Sequence, residues 1–406
     1  MTLSENNSNI EKINGGVCAP GGFKAGGIKA GIKQSGNYDL GLIHSELPCH
    51  TAGTFTLNSI RASSVERCDK LLPSNKIHSV ICNSGCANAC TGEEGVSNNE
   101  EMVKLTAIEL STSPETVLSA STGVIGEQLP IKNITSALPS LISSLSARGG
   151  FTFAKAIMTT DTIEKESAVK VHSTDGNYTI GGCCKGSGMI HPNMATMLAF
   201  LCTDAAIGEK LLNQIVKRTV DRTFNNLTVD GDTSTNDMVL VLSNGHSDAK
   251  ITHTNAALFE EGLFEVCNDL CKQIAADGEG ATKRVEIYVN GAKSESDAKK
   301  AAKAVANSNL TKCALFGNDP NWGRIACAIG YSGAKFSNKH MSIHLCGIEV
   351  FRDLQPVEFD HKKIHIHLQK KVVPIVIDLG LGKASAIAHT CDFSYDYVKI
   401  NAEYHT

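Results

Sequence analysis

The sequence predicts an α+β protein, with mixed β-sheets sandwiched by helical layers. Short apolar stretches of strand length recur along the chain. Several alternate with period two, as in Val285, Ile287 and Val289, so one face of each is expected to be covered. Stretches with helical spacing lie between them, without the strict strand–helix–strand rhythm of a Rossmann or barrel fold. The 406 residues exceed the usual size of one core, so two domains are expected.

In chain order, glycines crowd the opening from Gly15 to Gly31 but form neither GxGxxG nor GxxxxGK[ST]. Turns and close packing are their expected use. A strand follows over 77–82. Ser97 and Glu100 have capping-box spacing ahead of Val103, Ala107 and Leu110, which predicts a helix start. Strands are expected over 168–172, 197–202 and 238–242. Leu212, Ile215, Val216 and Thr219 mark a helix between the last two. Leu263, Val266, Leu270 and Ile274 mark another, which Gly278 is placed to stop. The Gly/Asp-rich 277–280 stretch and the fresh strand over 285–289 suggest a boundary, dividing a core of 1–283 from a smaller α/β domain of 284–406. Ser294 and Asp297 open an Ala-rich helix to about Val305. Strands are expected over 341–345, 364–368 and 372–377.

Composition excludes several function classes. Net charge is −4 and the pI is about 6.4, so no basic excess exists to hold a nucleic acid. Apolar residues are 42% and charged residues 20%, as in ordinary soluble domains. No apolar run reaches the ~18 residues of a membrane span. The first 13 residues lack the basic and apolar segments of a signal peptide, so a cytoplasmic location is expected. Fifteen cysteines without an export signal argue against a disulfide framework. Cys82, Cys86 and Cys90 recur at every fourth residue, which suits either three thiolates on a helix face or small buried side chains. No CxxC stands nearby, and burial is the expected reading. His365 and His367 would share a strand face, but they follow Lys362 and Lys363 and read as a solvated face. No metal is expected. Gly380 to Lys383 fails as a phosphate loop, because Ile377 stands where Gly is required and Ala384 where Ser or Thr is.

The unusual segment runs from Lys185 to Met197: Lys-Gly-Ser-Gly-Met-Ile-His-Pro-Asn-Met-Ala-Thr-Met. A Gly- and Pro-containing loop ends in Ala195-Thr196 and passes straight into apolar Met197, Leu198, Ala199, Phe200 and Leu201. That is the arrangement a self-cleaving nucleophile needs. A small residue leaves room around the carbonyl, and the Thr hydroxyl attacks it, converting amide to ester for water to open.

With this segment the chain resembles the ornithine acetyltransferase (glutamate N-acetyltransferase) family of arginine biosynthesis. Other motifs carry the resemblance: Ser84-Gly85-Cys86-Ala87-Asn88-Ala89, Ser121-Thr122-Gly123-Val124-Ile125-Gly126, Met158-Thr159-Thr160-Asp161-Thr162 and Thr228 to Asp237. So do Gly278-Glu279-Gly280-Ala281-Thr282, Gly317 to Arg324 and the tail from Cys391 to Tyr404. The resemblance implies a core like that of N-terminal-nucleophile enzymes and self-cleavage between Ala195 and Thr196, into chains of 195 and 211 residues. The two chains would stay together as a heterodimer and pair into a heterotetramer. Thr196 would then carry acetyl from N2-acetylornithine to glutamate, releasing ornithine and N-acetylglutamate. No cofactor is implied, although acetyl-CoA serves some members as donor. Thr122 and Gly123 match the oxyanion-hole positions. Thr159, Lys185, Thr196, Glu279, Asn401 and Thr406 match the substrate-binding positions.

The chemistry of these residue types agrees. A threonine hydroxyl needs a base, and cleavage creates one, the α-amine of Thr196, with an ordinary pKa of about 7.7–8.0. A cation beside it, for which Lys185 is the candidate, would free that amine of its proton at lower pH; Lys185 would otherwise pair with a substrate carboxylate. Thr122 offers a hydroxyl and Gly123 an unobstructed N–H to a developing oxyanion. Lys185, Asn401 and the Thr406 hydroxyl suit a carboxylate, and Glu279 a cationic amine or a polarised water. An N-terminal-nucleophile amidase or aminopeptidase would use the same groups and release its acyl group to water. A non-catalytic Cys/His module would stay uncut.

Overall fold

The period-two stretches fold into two large sheets. The computed structural model describes residues 8–191 and 197–403. In chain order the strands of its first part are β1 (Ile10–Ile13), β2 (Phe23–Ile28), β3 (Leu40–Phe55), β4 (Ser74–Cys86), β5 (Val117–Val124), β6 (Lys165–Val171), β7 (Tyr178–Lys185), β8 (Leu198–Thr203), β9 (Ala206–Ile207), β10 (Met238–Ser243) and β11 (Lys250–Ile251). The helices there are α1 (Ser63–Leu71), α2 (Gly92–Glu109), α3 (Ile131–Ser143), α4 (Gly150–Ile157), α5 (Glu209–Arg222) and α6 (Ala256–Ala276). The first sheet runs β1-β6-β7-β8-β10-β3-β4-β5, with β2 also paired to β3. It is mixed: β8–β10 and β4–β5 are parallel, the other pairs antiparallel.

β3 joins the two flanks of this sheet. β4 pairs along it from Leu40 to Thr51, while β2 pairs with its first half and β10 with its second. Register shifts after His44 and Cys49 mark where it bends. Side-chain alternation then fills three stacked cores. In β8, Leu198, Phe200 and Cys202 enter a central core with Ile43, Val80 and Phe153. Ala199 and Leu201 face the other way, against Leu212 and Ile215 of α5 and Leu263 and Val266 of α6. On the far flank, Leu40, Leu42 and Ile81 pack against Met102 of α2 and Leu138 of α3. The expected α+β arrangement, sheets between helical layers, is what forms. One opening glycine shows why that stretch is Gly-rich: a Cβ on Gly27 would fall 2.1 Å from the Thr152 carbonyl of α4.

The chain then forms β12 (Arg284–Ala292), α7 (Glu295–Ala306), α8 (Asn309–Phe316), α9 (Trp322–Tyr331), β13 (Ser342–Leu345), β14 (Ile348–Arg352), β15 (Gln355–Pro356), α10 (His361–Leu368), β16 (Val372–Asp378), β17 (Ala384–Cys391) and α11 (Tyr395–Glu403). The second sheet runs β15-β14-β13-β16-β12-β17. Its own core holds Val285, Ile287, Ile343, Ile375 and the alanines of α7. Ser294 caps α7 as expected, accepting from the Asp297 N–H.

Several expectations meet the structure here, and some need correction. Residues 364–368 are helical, not extended. Asp360 accepts the Lys362 and Lys363 N–H groups at 2.9 and 3.0 Å and starts α10. Ile364 and Leu368 are then buried one turn apart, and His365 and His367 no longer share a face. Ser97 does not cap α2, which begins five residues earlier at Gly92. Gly278 stands just past the end of α6, as expected, since the helix closes at Ala276 and is capped at Asp277; a Cβ on Gly278 would also meet the Cys391 Sγ at 2.9 Å. The expected burial holds for Cys82 and Cys86, which lie on β4 and enter different cores, whereas Cys90 is exposed. Burial pushes the Cys82 thiol up to about 12, wrong for a metal ligand.

Candidate active site

One pocket lies where the ends of β5 and β7 meet the start of β8 and the chain's tail. Thr122, Gly123, Thr159, Lys185, Glu279 and Asn401 all line it, beside Met197. Six sequence-predicted site residues from five separate segments are thus brought together. Ala195, Thr196 and Thr406 lie outside the described residues.

The oxyanion candidates are held by a polar scaffold. Gly123 sits at φ +133°, and a Cβ there would fall 2.3 Å from the Gly85 carbonyl carbon and 2.5 Å from the Cys86 nitrogen. Only glycine lets β5 approach β4 so closely. Asn236 Nδ2 donates to the Ser121 carbonyl at 2.8 Å and to the Ala87 carbonyl at 2.6 Å. The Ser121 hydroxyl donates to Asn83 Oδ1 at 2.6 Å. The peptide leading into Thr122 is therefore fixed before any substrate arrives, as an oxyanion hole requires.

Lys185 ends β7 and is 8% exposed. The turn after it hangs on Asp161, whose Oδ1 accepts the Gly186 N–H at 2.7 Å and whose Oδ2 accepts the Thr159 N–H at 3.0 Å. Lys165 secures that aspartate. Its ammonium, fully buried, reaches Asp161 Oδ1 at 2.7 Å and Asp277 Oδ2 at 2.5 Å. Burial alone would raise the Asp161 pKa; Lys165 and Lys185 win and hold it at about 2. Asp277 also accepts from the Thr162 N–H at 3.0 Å. A buried charge cluster thus ties Thr159, Lys185 and the end of α6 into one wall.

The opposite wall belongs to the loop before and after the undescribed stretch 192–196. Asp230 accepts the Met189 and Ile190 N–H groups at 2.6 and 2.9 Å. Thr233 Oγ1 donates to the His191 carbonyl at 2.9 Å, and the Met238 N–H donates to the Met197 carbonyl at 3.0 Å. Residues 228–238 therefore grip the chain on both sides of the Ala195–Thr196 bond. The His191 ring nitrogen Nδ1 lies 3.2 Å from Thr228 Oγ1.

Glu279 and the tail close the pocket. The Glu279 N–H donates to the Ser187 carbonyl at 2.9 Å, and its carboxylate lies where a Cβ on Gly188 would stand. Asn401 Nδ2 donates to Glu279 Oε2 at 2.9 Å. Asp392 brings the tail here, accepting the Thr282 and Lys283 N–H groups at 2.8 and 2.9 Å. Among the described residues, no cluster of three His, Cys, Asp or Glu side chains could hold a metal ion. No described helix is long and apolar enough to cross a membrane.

Sequence reasoning missed Asp161, Lys165 and Asp277 as a unit, and Asn236, Asp230 and Asp237. Several lie in motifs that carried the resemblance, but a lone acid in a polar run reads as solvated until its burial is known.

Comparisons with known proteins place the chain in a family. The ArgJ family model matches residues 24–406. The arginine biosynthesis bifunctional protein ArgJ of Symbiobacterium thermophilum is 45% identical over 402 residues, covering 98% of this chain and 100% of that protein. Its counterpart in Geobacillus kaustophilus is 42% identical over 411 residues, covering 100% of both. A crystal structure of the Bacillus halodurans argJ protein, 42% identical with a TM-score of 0.50, covers 52% of this chain and 100% of that one. With the family model spanning nearly the whole sequence, the chain belongs to the ArgJ family.

Proposed function

We propose that the protein is a self-processing glutamate N-acetyltransferase of arginine biosynthesis, carrying acetyl from N2-acetylornithine to glutamate through acetyl-Thr196. The observation that carries this reading is the single pocket in which both oxyanion candidates and four substrate-binding candidates meet beside Met197, the residue that follows Thr196. The name of the curated relatives supports the pathway.

In this mechanism the free amine of Thr196 takes the proton from its own hydroxyl as Oγ attacks the acetyl carbonyl. The oxyanion faces the Thr122 hydroxyl and the Gly123 N–H. The amine passes its proton to the departing ornithine nitrogen. Glutamate then attacks the acetyl ester and loses a proton to the same amine, which hands it to the departing Thr196 Oγ as N-acetylglutamate leaves. Lys185, Asn401 and the Thr406 hydroxyl receive α-carboxylates, Thr159 completes the substrate wall, and Glu279 faces the cationic amine of ornithine. The word bifunctional in the relatives' name supports a second acetyl donor, for which acetyl-CoA is the candidate. The mechanism uses no resident cofactor. Division into 1–283 and 284–406, pairing of cleaved heterodimers into a heterotetramer, and a cytoplasmic location belong to the same proposal. The separate apolar core that starts at Val285 supports the division.

A denaturing gel and one assay test it. The purified protein should give two bands near half size, and Thr196→Ala one. Acetylglutamate should form from acetylornithine and glutamate, and mass spectrometry should trap an acetyl group on Thr196. An uncut chain that turns over acetylornithine at full rate refutes the mechanism, and free acetate as the product favours an amidase.

A further inference from the structure

β17 is the end strand of the second sheet and pairs with β12 alone within it. Its outer edge is closed at one point, where the Thr228 N–H donates to the His389 carbonyl at 3.0 Å and Leu227 forms a parallel bridge with His389. In an antiparallel pair, alternate residues turn their N–H and C=O away from the partner strand. Ile387 and Ser385 are therefore in phase with His389 and point theirs outward, away from β12. No other described residue hydrogen-bonds to them there.

That open half faces a cleft. Ser385 and Ile387 line a cavity of about 490 Å³, inside the range of roughly 300–1,000 Å³ usual for ligand sites. Lys299 of α7 walls one side, and Arg222 of α5 with Phe264 of α6 the other. α7 packs on the face of β17 that carries Ala386 and Ala388, and Asn268 of α6 meets His389 on the opposite face. The free edge thus runs along the cleft between the two walls.

The charges around it are unequally matched. Arg218 grips Glu260 at 2.6 to 3.2 Å, and Lys299 holds Asp221. Glu295 lies in the first turn of α7, where the helix dipole offsets it. Arg222 and Lys383 are left without an ion pair among the described residues. The Arg222 guanidinium rests over the Phe264 ring, 4.7 Å from its centre, and none of its N–H groups is engaged by a described residue.

We propose that this cleft binds a short acidic peptide in extended form, added as a further strand on β17. Its backbone would pair with Ile387 and Ser385, in line with Leu227, and its carboxylates with Arg222 and Lys383. The two features select the ligand together. A small polycarboxylate would satisfy the cations and leave the strand edge open, and a basic peptide would pair with the edge and be repelled by the cations.

Fluorescence anisotropy of a fluorescein-labelled Glu-Val-Glu-Val-Glu amide, titrated with the purified full chain at low salt, reads the binding. A Kd below about 1 mM is expected. Arg222→Glu combined with Lys383→Glu should weaken it at least about tenfold at an unchanged thermal midpoint. Methylating the central amide nitrogens of the peptide, which leaves its charge intact, should weaken it by about as much. Absence of binding at 1 mM overturns the proposal, as does equal binding of the Lys-Val-Lys-Val-Lys counterpart. An unweakened methylated peptide, or citrate displacing the peptide at equal concentration, marks a cleft for small anions and overturns it too. So does a change of oligomeric mass in the doubly substituted chain, which would make the cleft a contact between copies. Binding requires no turnover, so none of these outcomes depends on the acetyltransferase reading.

Discussion

Replacing Lys165 with Met tests whether the buried charge cluster holds the pocket together. The ammonium is fully buried, 2.7 Å from Asp161 and 2.5 Å from Asp277. Its removal strands two carboxylates in a site with almost no access to water. Breaking a buried ion pair from one side costs about 3–5 kcal/mol, a large part of the roughly 5–15 kcal/mol that holds a domain folded. The pH dependence follows from Asp161. In the natural protein its carboxyl is depressed from 3.8 to about 2, which at 1.36 kcal/mol per unit is about 2 kcal/mol. Because the folded pKa is the lower one, that contribution is present above about pH 5 and is lost as pH falls towards 2. Without Lys165 the balance tips to burial, which raises the carboxyl, so acid relieves the variant by protonating it. The gap between the two proteins should therefore narrow from pH 8 to pH 4. Guanidinium unfolding in the uncut Thr196→Ala background keeps the transition unimolecular. A gap below 1 kcal/mol, or one that does not change with pH, refutes the reasoning.

Other expectations follow from single contacts. Gly123→Ala should lower kcat at least about 100-fold, because the added Cβ would force β5 off β4 and displace an oxyanion donor; turnover within fivefold of the natural enzyme contradicts that role. Lys185→Met should move the acidic limb of the pH–rate profile upward, since a Thr196 amine freed of a neighbouring cation keeps its proton to higher pH; an unmoved limb leaves Lys185 as a carboxylate partner only. Deleting residues 401–406 removes the Asn401 bond to Glu279 and should impair turnover with little change in thermal midpoint, because α11 buries no residue of its own; full activity in the truncation excludes the tail from the site.

Every strand read from local pattern except one is a strand, because each sits in a sheet whose faces are covered by side chains of matching period; β3, β5 and β7, rich in Gly, Ser, Thr, Cys and His, were not read from it. It failed where two periods competed. Residues 364–368 alternate Ile, His, Ile, His, Leu, which reads as a strand, yet Ile366 is exposed while Ile364 and Leu368 are buried. The deciding signal lay four residues earlier, in the Asp360 cap, whose two hydrogen bonds commit the next turn to helix. The oxyanion and tail residues were legible because motif and chemistry pointed the same way. The charge cluster was not, since Lys165 and Asp277 lie 112 residues apart and only the packing of α6 against β6 and β7 makes them neighbours.

Asp237 shows why such groups escape a linear reading. Beside Asn236 and Asp232 it looks like one more solvated acid of a polar loop. Its burial is decided by the strand it precedes. β10 is paired on both edges, by β8 and by β3, and apolar on both faces. A residue at the entrance of such a strand is enclosed whatever its own polarity, and a carboxyl enclosed there loses its water before it gains a partner. The fold thus sets the charge of this group from a distance, through strand order, and strand order is the property that a sequence of short, interchangeable apolar stretches does not encode locally.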